Sequence, residues 1–147
     1  MTGVAHVLAL IVVFVNGIAG LVSAALWWRV EPRPYAWALI RAGQAAAIGQ
    51  AVAAGVFAAG GKEPADNLYW LYALLPVAVG FVAEQLRLAS AQMVLDARDL
   101  EDGQAVGRLP DDEQRSVVLQ IVRRELGVMA AAALVIAFLG LRAYGTV

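Results

Sequence analysis

Apolar residues in this chain gather into four long runs, at about residues 4–28, 35–59, 67–95 and 117–143, with short polar breaks between them. A helix needs roughly 20 predominantly apolar residues to cross a bilayer, and each run reaches that length. The breaks hold residues that stop helices. Arg29-Val30-Glu31-Pro32-Arg33-Pro34 closes the first run, and its prolines push the preceding residues towards extended backbone. Gly60-Gly61-Lys62-Glu63-Pro64 closes the second. The third run is apolar as far as Ala83, yet its helical pattern continues to about Leu100, ahead of a charged loop at 101–109. The last helix is expected to begin at Pro110, with Asp111, Asp112 and Glu113 against the positive end of its dipole, and to end near Tyr144.

The pattern predicts an all-α fold, a polytopic membrane protein forming a single domain over residues 1–147. It is a four-transmembrane-helix bundle whose third and fourth helices are longer than a bilayer requires. Their excess extends into the cytoplasm as a hairpin of about residues 96–116. The first run has no preceding Lys or Arg and far exceeds the ~7–15-residue core of a signal peptide, so it reads as a retained span. Arg29, Arg33, Arg98, Arg108 and Arg115 belong to the first and third loops, against Lys62 and Arg142 on the opposite side. The positive-inside rule then places those loops in the cytoplasm and both termini outside, in the cell's inner (plasma) membrane. Trp27, Trp28, Tyr35 and Trp37 suit the inner interface, and Tyr69, Trp70 and Tyr72 the outer one.

The second run is built from small residues. Gly43, Ala47, Ala51, Ala54 and Ala58 form one stripe, and Ala42, Ala46, Gly49 and Ala53 another. Pairs such as Gly43/Ala47, Gly49/Ala53 and Gly55/Ala59 let helix backbones approach closely, so Ala47, Gly49 and Gly55 are expected packing positions. The second helix is accordingly expected to be central, within one subunit or at an oligomer interface. Three amides lie deep in the first two spans: Asn16, Gln44 and Gln50. Asn16 shares a face with Gly20, Ser23 and Trp27 and needs a partner, such as Gln44 or a backbone carbonyl, because an unpaired amide in hydrocarbon costs roughly 4–8 kcal/mol on the most apolar scale. Pro76 and Gly80 mark a weak point in the third helix.

Charge is concentrated at the inner boundary, in Arg41, Glu84, Arg87, Arg123, Arg124 and Glu125. Arg123 and Arg124 lie on a polar face and suit interfacial anchoring. Glu125 falls on the apolar face with Val118, Ile121, Val122 and Met129, so it needs a partner, Arg41 or Arg87. Glu84 and Arg87, three residues apart, can pair along their own helix. The layer reads first as an ion-paired clasp; because ionisable groups inside spans are functional candidates by default, Arg41, Glu84, Arg87 and Glu125 are also the candidate gate.

Composition narrows the chemistry. The chain is 61% apolar, against about 45–50% for a soluble domain, with a net charge of −1 that offers nucleic acid no basic surface. It has no cysteine and one histidine, His6, so thiolate catalysis, cysteine metal sites and bis-histidine haem ligation within one chain are excluded, and no metal or cofactor is expected. The acidic residues near 96–113 lack EF-hand spacing and read as a solvated hairpin tip. No Gly-x-Ser-x-Gly, His-Glu-x-x-His or Walker motif is present, so the chain is not expected to be an enzyme. The expected function is a small oligomeric membrane channel or transporter with a charged polar layer at its cytoplasmic mouth. The alternative is a non-catalytic subunit or scaffold of a larger membrane complex. The partners implied are the lipid bilayer and either further copies of the chain or another membrane protein.

Overall fold

The computed structural model describes every residue from Met1 to Val147 and contains no strand. Its helices are α1 (Thr2–Arg29), α2 (Pro34–Ala59), α3 (Leu68–Ala97), α4 (Gly103–Gly107) and α5 (Asp111–Tyr144). All but α4 are long and apolar enough to cross a membrane.

Local chemistry sets the boundaries. At the end of α1, Val30 turns into the left-handed region at φ 58°, and Val30 and Glu31 return their N–H groups to Trp27 and Leu26. A β-branched residue is strained there, so this turn is held by its surroundings rather than by preference. Arg33 is extended, as a residue before proline should be, and Pro34 opens α2. Pro110 lies one residue ahead of α5 instead of within it, and its carbonyl accepts from Gln114 N at 2.9 Å. The expected loop at 101–109 contains α4, because Asp102 caps it by accepting from Ala105 N at 2.9 Å.

The long helices form an antiparallel bundle in the circuit α1, α2, α3, α5. α5 packs most extensively, along both α1 and α3, whereas α2 and α3 meet more sparsely. Within one chain the central helix is therefore α5 and not α2, which leaves α2 the other expected place, an interface between copies. Apart from Gly43, which meets Asn16 of α1, the close approaches are made by other small residues. Gly20 of α1 lies against Leu134, Gly140 of α5 against Val12 and Val13, and Gly127 of α5 against Trp27; a Cβ at any of them would collide. Ala47 is buried and packs with Val12 and Ile136 at the bundle's centre, as a packing residue should. Gly49 and Gly55 are exposed, and a Cβ on either would meet nothing within 4 Å, so neither packs inside the chain.

The interior is assembled from small side chains. Ala5, Ala9, Ala54, Tyr69, Ala73 and Ala143 close the end that carries both termini. Leu26, Ala36, Ile40, Ala83, Leu126 and Met129 close the other end. The large apolar residues point outward: Phe14, Leu21, Val56, Phe81 and Phe138 are 60–67% exposed. An apolar surface of that extent over an interior of alanine reverses the usual order of a water-soluble domain. Beyond the second cluster, Val94, Leu95, Val106 and Val117 make a further small core where α3 and α5 meet under α4. Arg98 crosses that junction, donating from Nη2 to Ser116 Oγ and Gln120 Oε1, each at 3.0 Å. The acidic residues from Asp96 to Glu113 are all exposed, as a solvated tip requires, and the small core lies beneath them.

Candidate functional site

Four of the expected charged residues form one connected chain across three helices. Arg41 on α2 donates from Nη1 to Glu84 Oε1 on α3 at 2.5 Å and to Gln44 Oε1 at 2.6 Å. Gln44 Nε2 donates to the same Glu84 oxygen at 2.8 Å. The other carboxylate oxygen of Glu84 accepts from Arg87 Nε at 3.0 Å. Arg87 Nη1 then faces Glu125 Oε1 on α5 at 3.6 Å, an ion pair longer than a charge-assisted hydrogen bond. The Arg87 guanidinium also lies 5.7 Å from the centre of the Trp37 ring on α2.

Helical spacing explains why these residues meet. Arg41 and Gln44 are three residues apart, as are Glu84 and Arg87, so each pair shares a helix face. Antiparallel packing of α2 on α3 then sets the two pairs opposite one another. Exposure falls along the chain of contacts: the side chains are 53% exposed at Arg41, 24% at Glu84, 23% at Arg87 and 14% at Glu125. Glu84 is the hub, with both oxygens occupied by three donors. Glu125 takes Arg87, one of its two expected partners, and Arg41 takes Glu84 instead.

Arg123 and Arg124 separate. Arg123 donates from Nε to the Trp27 carbonyl at 3.2 Å and stands 5.3 Å from the centre of the Trp27 ring, tying α5 to the end of α1. Arg124 is exposed.

Of the three amides, Gln44 belongs to the charge layer. Asn16 is buried and donates from Nδ2 to the carbonyls of Val12 and Gly43, each at 3.0 Å. Its interhelical partner is therefore a backbone carbonyl of α2. That contact exists because Gly43 has no side chain; a Cβ there would strike the Asn16 amide. Gln50 is also buried, and neither its Nε2 nor its Oε1 meets a partner in the chain, as is true of Ser23 Oγ and Tyr69 OH. These amides do not join into one polar path. Between Asn16 and Gln44 there is a space of about 10 Å³, bounded by Ile40, Met129 and Ile136. That is about one water molecule.

A larger cleft opens beside the charge layer, between α2 and α3. It measures about 240 Å³ and is lined by Gln44, Ala47, Ile48, Pro76, Val77, Gly80, Phe81, Glu84 and Ile136. Gln44 and Glu84 make its only polar end. Pro76 and Gly80, read from the sequence as a weak point of the helix, form one wall. No group of three or more His, Asp or Glu side chains converges on a possible metal position. Asp96 accepts from Gln92 Nε2, and Asp102 is spent on its cap. His6 bonds the Thr2 carbonyl through Nδ1 and sets its edge against Tyr144.

Sequence reasoning missed Arg98 and the glycines of the α1–α5 contact. Arg98 stands opposite Ser116 and Gln120 only once α3 and α5 are folded together, so no local spacing marks it. The chain matches no protein-family model, no curated protein and no solved structure.

Proposed function

We propose that this chain is a four-span membrane protein with both termini outside and the α3–α4–α5 hairpin in the cytoplasm, and that it acts, as an oligomer, as a small channel or transporter. The observation that carries this reading is the position of the charge layer. Arg41, Gln44, Glu84, Arg87 and Glu125 link α2, α3 and α5 at the mouth of the α2–α3 cleft, where adjacent helices touch least. A linked set of ion pairs holds those helices together while it is intact and frees them when a competing ion or solute enters it. One bundle does not enclose a pathway, because Val12, Ala47 and Ile136 fill its centre. The pathway passes between copies of the chain at the charged mouth of the α2–α3 seam, and the apolar part of the cleft stays open to the bilayer. Gly49 and Gly55, outward on α2, give a neighbouring helix room for close approach. On this reading the chain catalyses no reaction.

The test is flux through liposomes holding the purified protein, read for potassium, chloride and small neutral solutes. Arg41→Ala and Glu125→Gln are expected to change the flux by about tenfold or more while the oligomer survives, tenfold corresponding to roughly 1.4 kcal/mol at the gate. Absence of flux for every species, from a protein that co-purifies with fixed partners, overturns the transport reading. That result would favour a non-catalytic subunit or scaffold, a role supported by the closed centre and by the separate small core under α4. In that case Gly49→Leu, which changes only an outward face, is expected to break assembly.

A further inference from the structure

The α2–α3 cleft has a different chemistry at each end. Towards the bundle's middle its walls are Ala47, Ile48, Pro76 and Val77, with no polar side chain. Its other end is Gln44 and Glu84, both bonded to Arg41. From Pro76 to Glu84 the wall of α3 rises about 12 Å at 1.5 Å per residue. In the membrane orientation proposed above, on which this inference rests, the polar end lies at the inner headgroup level and the apolar end points to the bilayer centre. That is the polarity of a lipid of the inner leaflet.

The sign of the headgroup follows from counting the donors and acceptors still free. Both oxygens of Glu84 are taken, by Arg41, Gln44 and Arg87. The Gln44 oxygen accepts from Arg41, and its amide nitrogen donates to Glu84. Arg41 uses Nη1 alone for its two bonds, and its side chain is 53% exposed. Nε and Nη2 are left to donate outward. The one carboxylate lining the cleft, Glu84, is already held by two guanidinium groups and an amide, whereas an anion finds the unused guanidinium edge of Arg41. A volume of about 240 Å³ lies below the roughly 300–1,000 Å³ of a drug-sized site and admits part of one chain. We infer that the cleft seats part of one acyl chain of an anionic phospholipid, with the headgroup held on the Arg41 guanidinium.

The full chain in vesicles of phosphatidylcholine and phosphatidylglycerol, released into the gas phase for native mass spectrometry, reads the lipid retained per chain. Wild type is expected to hold one phosphatidylglycerol in preference to phosphatidylcholine. Arg41→Gln is expected to lower that preference about fivefold, the weight of one arginine beside an anionic surface. Gly80→Leu is expected to abolish retention of either lipid by filling the cleft; a Cβ at Gly80 meets nothing within 4 Å, so the fold accommodates it. Gly17→Leu, away from the cleft and equally unobstructed, serves as the control and is expected to behave as wild type. Equal retention of the two lipids by wild type, or unchanged retention in both Arg41→Gln and Gly80→Leu, overturns the inference. Retention without flux leaves the lipid seat standing and removes the transport reading; flux without retention does the reverse.

Discussion

A methyl group at position 43 would run into the Asn16 amide, which gives the α1–α2 contact a sharp test at the scale of one residue. Gly43→Ala is expected to destabilise the protein by about 1–3 kcal/mol, as overpacking usually does, read as a lower thermal midpoint in detergent. Asn16→Ala removes one interhelical hydrogen bond and should cost less, about 0.6 kcal/mol for the bond itself. The double variant Asn16→Ala/Gly43→Ala is expected to be more stable than the sum of the two losses, since the group that clashes is gone. Strict additivity would show that Gly43 is not there for Asn16. The need of Asn16 for a partner is visible in the sequence, because an amide among apolar residues must be satisfied. Which partner it takes is not, because that depends on the register of α1 against α2. Glu84 and Arg87 were legible from their spacing alone; the bond from Arg41 to Glu84 required the neighbouring helix.

At the scale of the element, α5 is one helix with two tasks. Its latter part, with Ala130, Ala133, Leu139 and Ala143 buried, is the central member of the bundle. Its first part packs through Val117 on Val94, Leu95 and Val106 beneath α4. Val117→Ala removes two methyl groups, about 1.6 kcal/mol at roughly 0.8 kcal/mol each. Amide hydrogen exchange is expected to quicken across residues 94–121 and to stay slow in α1 and α2. Uniform acceleration in all helices would show that the two parts unfold together. The long helices were legible because each carries a long apolar run. α4 was not, because Gly103–Gly107 is too short to show a period and its cap, Asp102, sits in an acidic stretch. Within the chain the central position falls to α5 rather than α2 for a related reason. Small residues reveal where a backbone can come close, and Gly49 and Gly55 have that capacity on a face with no neighbour in the chain. Gly20, Gly127 and Gly140 are scattered singly in the sequence, yet each lies where α1 and α5 leave no room for a Cβ.

Taken as a whole, the molecule is a bundle with an apolar exterior, a centre of small residues and one linked charge layer across α2, α3 and α5. The sequence carries the number of long helices and the one-sided distribution of charge. The closed centre and the cleft beside Glu84 arise only from packing, since Ile136 and Ala47 come from different helices. The proposed function requires the layer to act as a latch on the α2–α3 seam. The chain has no cysteine, so a spin-label pair is introduced cleanly at Ile48→Cys and Phe81→Cys, both exposed and both lining the cleft. The measurement is the distance distribution between the two labels in bilayers, with labelled chains diluted among unlabelled ones. With Glu84 present a single narrow population is expected. Glu84→Gln leaves the Arg41 and Arg87 guanidinium groups without the carboxylate between them and is expected to add a second population at longer distance. An unchanged distribution in Glu84→Gln would contradict the latch.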